Sequence, residues 1–260
     1  MTLDYAFRFG GIARLYGQAA LAKFHASHIA VIGIGGVGSW AAEALARSGI
    51  GTLTLFDLDD ICVSNINRQV HALQGTVGQL KVEVMAARLQ EINPDLDVRV
   101  CRNFVTEKNL QELITQKFDY VFDATDSVKT KTALIAYCVR NKIKVISSGG
   151  AGGQTDPAQI AIADLSRTLQ DPLLAKVRNN LRRLHGFSRN PKRKFRVDCV
   201  FSTEPLVYAR GDGSVCSEKP AQAGPARLDC ASGFGAATHV TASFGFMAVS
   251  RMLNRLAARS

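Results

Sequence analysis

The first 155 residues alternate between short apolar runs and longer segments in which apolar residues recur at helical spacing. The apolar runs are typical of buried strands and cover residues 28–35, 52–59, 97–104, 119–127 and 144–153. The segments between them predict helices over residues 39–50, 78–94, 109–118 and 129–142. Regular alternation of strand and helix predicts a mostly parallel sheet with helices on both faces. We therefore expect an α/β fold that is doubly wound and Rossmann-like.

The pattern changes after about residue 155, where the chain becomes basic and irregular. One later segment, residues 230–250, contains no Lys, Arg, Asp or Glu and is long enough to span a bilayer. His239 and several Ser and Thr residues interrupt it, and Leu, Ile and Val are scarce. We interpret the segment as a buried core helix entered from a glycine turn, with membrane association as the less favoured alternative.

Composition narrows the choice of partner and of compartment. The net charge of +10 favours a polyanionic partner, either nucleic acid or an anionic membrane. The six cysteines are scattered without a C-x-x-C pair, which argues against a structural zinc site and against a disulfide framework. The first residues lack the charged-then-apolar order of a signal peptide. We therefore expect a reduced, cytoplasmic setting.

A glycine-rich turn follows the first predicted strand, in the segment AVIGIGGVGSW at residues 30–40. Glycines let the backbone approach phosphates, and the start of the next helix adds amide groups and partial positive charge. The glycines in G-x-G-x-x-G spacing are Gly33, Gly35, Gly36 and Gly38. Asp57 ends the second strand, where a carboxylate accepts hydrogen bonds from ribose hydroxyls. Because NAD and ATP both carry phosphates and ribose, these residues leave both cofactors open.

The segment VSNINRQV at residues 63–70 favours ATP. It contributes Asn65, Arg68 and Gln69, and Lys81 follows on the next predicted helix. Arg68 is a permanently charged fork suited to phosphate oxygens, and Lys81 adds a point charge. Together they supply more positive charge than two bridging phosphates require. A triphosphate that loses pyrophosphate would use this additional positive charge.

Two carboxylates follow the strand that ends in FDATDS, residues 122–127. Ligands bind at the carboxyl ends of parallel strands in this architecture. A carboxylate near phosphates is unfavourable unless a cation lies between them, so we predict that Asp126 is a Mg²⁺ ligand. We expect a structural role for Asp123, as a cap of the following turn.

The motifs GIGGVGS, DLDDICVSNINRQV, GQLKVEVMAARLQEINP and FDATDS, in this order and spacing, resemble adenylating proteins of the ThiF and MoeB type, relatives of ubiquitin-activating enzymes. The resemblance covers about residues 8–155 and implies that ATP and a carboxylate give an acyl-adenylate and pyrophosphate. It also implies a homodimer in which Arg68 reaches into the partner's site, and an arginine supplied in trans is worth roughly 10³–10⁵ in phosphoryl-transfer rate. We assign Arg68, Lys81 and Asp126 to catalysis, with ATP and Mg²⁺ as cofactors.

Two departures from that family concern the substrate. Members that activate sulfur-carrier proteins usually hold zinc with two C-x-x-C pairs, which this chain lacks. They also often carry a second N-terminal arginine, and here Gly11 stands at that place, with Arg8 and Arg14 as possible substitutes. Both departures count against a carrier-protein substrate, which stays as the alternative. A nicotinamide or flavin oxidoreductase is the third, least favoured class.

A basic run favours RNA as the partner. Nine basic residues fall between residues 176 and 196 without an Asp or Glu among them. Such a patch holds nucleic acid through phosphate contacts without reading sequence, although a solvated face or a lipid-binding surface has the same composition. The predicted RNA-binding residues are Lys176, Arg178, Arg182, Arg183, Lys192, Arg193, Lys194 and Arg196.

Further segments resemble the tRNA-modifying branch of the same family, which dehydrates threonylcarbamoyladenosine. They are RFGGIARLYG, RRLHGF, the basic run and RLDCASGFGAATHVTASFGFMA. The resemblance implies that ATP adenylates the threonine carboxylate of the modified adenosine beside the anticodon. Attack by the ureido group then expels AMP and closes a ring, a step that benefits from being intramolecular. A sulfur-relay protein is a possible further partner.

We expect one domain over residues 1–260. Its ATP-binding half is residues 8–155, and residues 156–260 form a basic, tRNA-facing half that completes the core. Related proteins pass acyl groups to a cysteine, so Cys199, Cys216 and Cys230 are candidate nucleophiles. None lies in a pattern that predicts a low pKa, and we expect each to be a packing residue.

Overall fold

The computed structural model describes residues 3–217 and 234–258. Its helices are α1 Leu3–Arg8, α2 Gly10–Tyr16, α3 Gln18–Ala26, α4 Gly38–Arg47, α5 Lys81–Ile92, α6 Leu110–Leu113, α7 Val128–Arg140, α8 Pro172–Leu184 and α9 Thr238–Ala257. Its strands are β1 His28–Ile32, β2 Thr52–Phe56, β3 Asp97–Cys101, β4 Tyr120–Asp123, β5 Val145–Ser148, β6 Ile160–Asp164, β7 Asp198–Ser202, β8 Tyr208–Ala209 and β9 Val215–Cys216. Cys230 and the start of the 230–250 segment lie outside the described residues.

Seven strands form one sheet in the order β3-β2-β1-β4-β5-β7-β6, and β8 pairs with β9 in a small separate hairpin. All neighbours in the large sheet are parallel except β6 and β7, which are antiparallel. The order reverses between β1 and β4, so the loops after these two strands diverge and leave a crevice at their carboxyl ends. This confirms the doubly wound α/β fold.

Helices cover both faces of the sheet because the central strands are apolar on both sides. In β1, Ile29 and Val31 pack into one core, which includes the buried faces of α4, α5 and α9. Ala30 and Ile32 point the other way, into a core shared with α7 and α8. Fully burying each large aliphatic side chain contributes about 1.5–3 kcal/mol. The two cores together explain why the strands read as unbroken apolar runs.

The C-terminal helix α9 fills the place expected for the 230–250 segment. Phe244 and Met252 are fully buried, and a Cβ at Gly245 would lie 2.8 Å from the carbonyl oxygen of Val37 at the start of α4. Small residues therefore let α9 pack closely on α4, and this explains the scarcity of Leu and Ile in the segment. No helix among the described residues is long and apolar enough to cross a membrane.

The sequence pattern did not predict helices α1 to α3 or strands β6 to β9, and it overextended one helix. Strands β6 and β7 join the sheet beyond β5, in the part of the chain where the alternation weakens. All residues of β6 are only half-buried, so it lacks the apolar run of a central strand. The helix predicted over residues 109–118 is the single turn Leu110–Leu113.

Candidate functional site

A cavity of about 870 Å³ opens at the carboxyl ends of β1, β2, β4 and β5, at the point where the strand order reverses. Open α/β sheets bind their ligands in this crevice. The wall contains most of the residues predicted from sequence: Gly33, Gly35, Gly36, Asp57, Asn65, Arg68, Gln69, Lys81 and Asp126. Residues separated by more than 90 positions therefore line one space.

The glycine turn divides into structural glycines and one that faces open space. Gly33 has φ +89°, and a Cβ on Gly38 would lie 1.8 Å from the carbonyl oxygen of Gly33. These two glycines make the tight join between β1 and α4 possible, and Gly38 lies behind the cavity wall. A Cβ on Gly35 would meet no atom within 4 Å. Gly35 therefore exposes its backbone to the cavity, as close approach of a phosphate requires.

Asp57 fixes the glycine turn through hydrogen bonds to backbone N–H groups. Its Oδ2 accepts the backbone N–H of Ile34 at 2.7 Å, and its Oδ1 accepts that of Asp59 at 3.0 Å. The carboxylate is buried but still borders the cavity. Each oxygen retains a second lone pair, so the group can fix the turn and also accept a hydroxyl hydrogen bond.

The segment that carries Arg68 is fixed by several elements. The carbonyl oxygen of Arg68 accepts the indole N–H of Trp40 at 3.0 Å, and its Nη1 donates to the carbonyl oxygen of Ser64 at 2.8 Å. Asn65 is buried, and its Oδ1 accepts the backbone N–H of Cys62 at 3.1 Å. Arg68 lines the cavity of its own chain. A role in a partner's site stays a prediction.

Gln69 is the predicted polar residue that is least satisfied by the protein itself. Its side chain is buried, and its Oε1 finds no hydrogen-bond partner among the residues that the structure describes. A buried amide oxygen without a partner costs roughly 1–3 kcal/mol. Because Gln69 borders the cavity, a ligand donor would relieve this cost.

Lys81 begins α5 and is held in place by an acid that the sequence reading did not single out. Its Nζ donates to Asp59 Oδ2 at 2.8 Å, and its side chain is buried while that of Asp59 is half-exposed. The pair fixes the ammonium group at the cavity wall. Asp59 belongs to the acidic run DLDD at residues 57–60, in which the sequence analysis gave a role only to the first acid, Asp57.

The two carboxylates after β4 have different surroundings. Asp123 is fully buried, bonds Lys131 Nζ and Ser147 Oγ at 2.8 Å each, and accepts the backbone N–H of Thr125 at 3.2 Å. It therefore has the structural, turn-capping role that the sequence indicated. Asp126 is exposed at the cavity and forms no ion pair with any residue in the described part of the chain.

The donor set around Asp126 fits Mg²⁺ only together with a ligand. Mg²⁺ is commonly held by one or two carboxylates plus substrate phosphates and water. Among the described residues there is no cluster of three or more His, Cys, Asp or Glu that could hold a metal ion. The exposed carboxylate of Asp126 at the cavity suits an ion that is shared with phosphates and water, and the described residues offer no all-protein cage of such side chains.

Two cavity walls come from parts of the chain that sequence reasoning did not assign to the site. Residues 148–151 form the end of β5 and the turn after it, and the Gly150 N–H donates to Asp171 Oδ2 at 2.9 Å. Asp171 also caps α8 through Leu174 N at 2.8 Å, and burial raises its pKa. From α9, Thr241 reaches the cavity beside Arg68. The glycine cluster after β5 could have indicated that this segment lines the cavity, but no local sequence pattern indicated the position of Thr241.

Two of the candidate cysteines, Cys199 and Cys216, lie among the described residues. Cys199 is fully buried in β7, and burial raises the pKa of its thiol well above the ordinary value. Cys216 lies half-buried in the short strand β9. A thiol with a raised pKa is a poor nucleophile, so Cys199 has the packing role that we expected.

The basic run forms the outer face of α8 and the loop that follows. Leu174, Val177 and Leu181 are buried under the helix, which turns most of its charges outward. Arg178 is an exception, because its Nη1 donates to Thr168 Oγ1 at 2.6 Å and burial lowers its pKa. The guanidinium of Arg182 lies 5.5 Å from the centre of the Phe195 ring. The other predicted RNA-binding residues, Lys176, Arg183, Lys192, Arg193, Lys194 and Arg196, are exposed.

Comparisons with known proteins agree with this geometry along almost the whole chain. The chain is 58% identical over 253 residues to the tRNA threonylcarbamoyladenosine dehydratase of Escherichia coli, covering 97% of this chain and 94% of that protein. It is 43% identical to the Bacillus subtilis protein of the same name, over 75% of this chain and 74% of that one.

A solved structure described as TcdA (CsdL) superposes with a TM-score of 0.91 at 54% identity, over 99% of this chain and 97% of the other. The E. coli dehydratase in complex with ATP gives a TM-score of 0.88 at 53% identity, with the same coverage. Residues 11–257 match the ThiF family. The chain therefore belongs to the ThiF family.

Proposed function

We propose that this protein is an ATP-dependent tRNA threonylcarbamoyladenosine dehydratase, a ligase-type enzyme that forms an acyl-adenylate. It adenylates the threonine carboxylate of threonylcarbamoyladenosine next to the tRNA anticodon and then closes a ring, with net loss of one water. One observation carries the proposal. A cavity built from a phosphate-type glycine turn, Arg68 and Lys81 lies in a chain that is 58% identical, over nearly its whole length, to a dehydratase of that name.

The chemistry explains why ATP is needed. A carboxylate resists nucleophiles because of its charge, and adenylation removes that charge while supplying a leaving group. A carboxylate oxygen attacks the α-phosphorus of ATP, and pyrophosphate departs with the electrons of the broken P–O bond. The ureido nitrogen then attacks the acyl carbon, AMP departs, and the nitrogen loses its proton. Because nucleophile and acyl group belong to one molecule, ring closure has a high effective concentration.

The residues of the cavity supply positioning and charge stabilisation. Backbone amides around Gly35 and the start of α4 bind phosphate oxygens. Arg68 and Lys81 stabilise the negative charge that develops on the departing pyrophosphate. Asp59 holds the Lys81 ammonium at 2.8 Å, so its position is set before ATP binds. Asp57, Asn65 and Gln69 bind the ribose side of the nucleotide.

Asp126 is the residue that would hold Mg²⁺. The bound ion would neutralise the charge of the phosphates, which would let a carboxylate stand near them. We support this assignment with the exposure of Asp126 at the cavity and its lack of an ion pair among the described residues.

The assembly we propose is a cytoplasmic homodimer, with a sulfur-relay protein as a possible further partner. The sequence resemblance implies that Arg68 acts in the partner's site. Arg68 borders the cavity of its own chain, however, and Trp40 and Ser64 of that chain fix it there. We therefore favour an intramolecular role for Arg68 over the role in trans.

The exposed basic residues on α8 and its following loop would hold the tRNA through phosphates. Arg178 is left out of this surface, because its guanidinium is bonded to the protein. Charge reversal of Arg182, Arg183, Lys192 and Arg193 should weaken tRNA binding and flatten its dependence on salt. Unchanged binding would remove the RNA argument from this surface.

The experiment that tests the function is mass spectrometry of nucleosides from tRNA that carries threonylcarbamoyladenosine. With enzyme and ATP we expect a loss of about 18 Da, the mass of the one water that intramolecular ring closure expels. AMP and pyrophosphate should appear in equal amounts with the product. A Lys81→Ala variant and an ATP-free sample serve as controls. Conversion without ATP, or no conversion together with adenylation of a Gly-Gly-ended carrier protein, would contradict the proposal.

A further inference from the structure

A second cavity of about 430 Å³ lies between β6, β7, the loop before β7 and the last turns of α9. Asp198 begins β7 and pairs in register with Ile146 of β5, whereas Val200 pairs with Ser148 at the nucleotide cavity. The second cavity is therefore at the amino end of β7, at the opposite edge of the sheet. We call it the basic cleft. Its charged residues are Asp164, Arg167, Lys194, Arg196, Asp198, Arg251 and Arg255.

The two acids of the basic cleft are already engaged by the protein. Asp198 Oδ2 lies 3.2 Å from Arg251 Nε and 3.5 Å from Arg255 Nη2. Asp164 accepts the backbone N–H groups of three consecutive residues, 195–197, at 2.7–3.3 Å. Burial would raise the pKa of Asp164, but hydrogen bonds from the Ser166 hydroxyl and from the backbone N–H groups of Phe195, Ser166 and Arg196 lower it, so the carboxylate stays charged.

The cleft therefore holds an excess of positive charge. Five cationic side chains face two carboxylates, and three of the cations, Arg167, Lys194 and Arg196, form no ion pair within the described ranges. Like charges that converge in this way repel one another, and an anion that enters the cleft relieves this repulsion. Guanidinium groups match phosphate oxygens in shape as well as in charge.

The backbone of Arg196 adds a separate observation. Its φ is +63°, in the left-handed region that costs a non-glycine residue roughly 1–2 kcal/mol. The carboxylate of Asp164 holds this conformation through the N–H of Arg196 at 2.7 Å. Strain that the surrounding structure enforces is found disproportionately at binding sites. Here it turns Arg196 toward the cleft at the end of the basic run.

We propose that the basic cleft is an exosite for backbone phosphates of the RNA substrate, away from the reacting nucleotide. The proposal rests on the proposed function. Helix α9 borders the nucleotide cavity at Thr241 and the basic cleft at Arg251, and ten residues of helix separate these two positions by about 15 Å. One mononucleotide cannot occupy both places, but a polyanion with many phosphates can. The cleft is continuous with the exposed basic run through Lys194 and Arg196.

Arg167→Gln tests the exosite with little risk to folding. Arg167 is exposed, forms no ion pair with a described residue and lies outside the basic run. Lys117→Gln is the matched control, because Lys117 is also exposed and the same charge is lost. The measurement is the dissociation constant of tRNA at 50 and 200 mM salt.

One lost phosphate contact lowers the salt slope by about 0.9. The affinity lost by Arg167→Gln, relative to the wild type, should therefore be about 3.5-fold greater at 50 mM than at 200 mM salt. The control should keep the wild-type slope. At saturating tRNA the single-turnover rate of Arg167→Gln should equal that of the wild type, because the nucleotide cavity is remote.

A wild-type salt slope for Arg167→Gln would overturn the exosite. A second experiment uses inorganic phosphate as the ligand. If millimolar phosphate raises the melting temperature of the wild type but not of Arg167→Gln, while tRNA affinity is equal in both, the cleft binds a free oxyanion and the RNA assignment is wrong. Failure of the wild type to convert tRNA would instead refute the proposed function. Conversion by the wild type with unchanged binding by Arg167→Gln would refute the exosite alone.

Discussion

The variant Gly35→Ala should weaken nucleotide binding and leave the glycine turn folded. A Cβ at Gly35 meets no protein atom within 4 Å, and its φ lies outside the left-handed region, so alanine fits the folded chain. We expect unfolding free energy within about 0.5 kcal/mol of the wild type. A phosphate oxygen bonded to the turn must lie about 2.9 Å from an amide nitrogen, in space that the new methyl group would occupy.

The loss of one such contact should weaken ATP binding at least tenfold, which is about 1.4 kcal/mol. Gly38→Ala is the contrasting variant, because its Cβ would lie 1.8 Å from the Gly33 carbonyl oxygen and the turn itself would have to move. We expect that variant to lose stability as well as binding. Calorimetric titration with ATP and thermal unfolding measure the two quantities. Wild-type ATP affinity in a folded Gly35→Ala protein would refute the assignment of this turn to phosphate.

Three further outcomes are expected. Asp123→Asn leaves the fully buried Lys131 ammonium without its ion partner and should cost about 3–5 kcal/mol in urea unfolding, whereas a loss below 1 kcal/mol would contradict the buried pair. Burial, reinforced by nearby cations, lowers the pKa of His71 from 6.5 to about 4, so the unfolded chain takes up the proton first as pH falls. Stability should therefore drop by about 3 kcal/mol between pH 6.5 and 4, and His71→Leu should lack this component in urea titrations at each pH. Mixed dimers of Arg68→Ala and Asp126→Ala should stay inactive in AMP release, because both residues line one chain's cavity, and restored activity would establish the role in trans.

Local periodicity was sufficient for the five strands between residues 28 and 155 and for the helices α4, α5 and α7 between them, but it did not predict the N-terminal helices α1 to α3. The central strands there are apolar runs because both of their faces are buried, whereas the edge strand β3 alternates apolar and polar residues and is only half-buried. The helices between the strands carry a single apolar stripe. The glycine turn could likewise be predicted, because Gly33 and Gly38 are required by backbone geometry within six residues. Nothing distant in the chain changes those requirements.

Tertiary structure alone decided the features that depend on distant pairing. Strand β7 gains its place beside β5 from pairing between residues 52 positions apart, and no period in its own short sequence indicates that partner. The sequence predicted that Arg178 binds RNA, because it lies in a run of basic residues. In the structure its guanidinium donates to Thr168 instead, so it is not available at the surface. Thr241 meets Arg68 at a separation of 173 residues. Sequence spacing reports which side chains share a face of one element, but only the packing of elements brings side chains of different elements together and determines which charges remain free to bind a ligand.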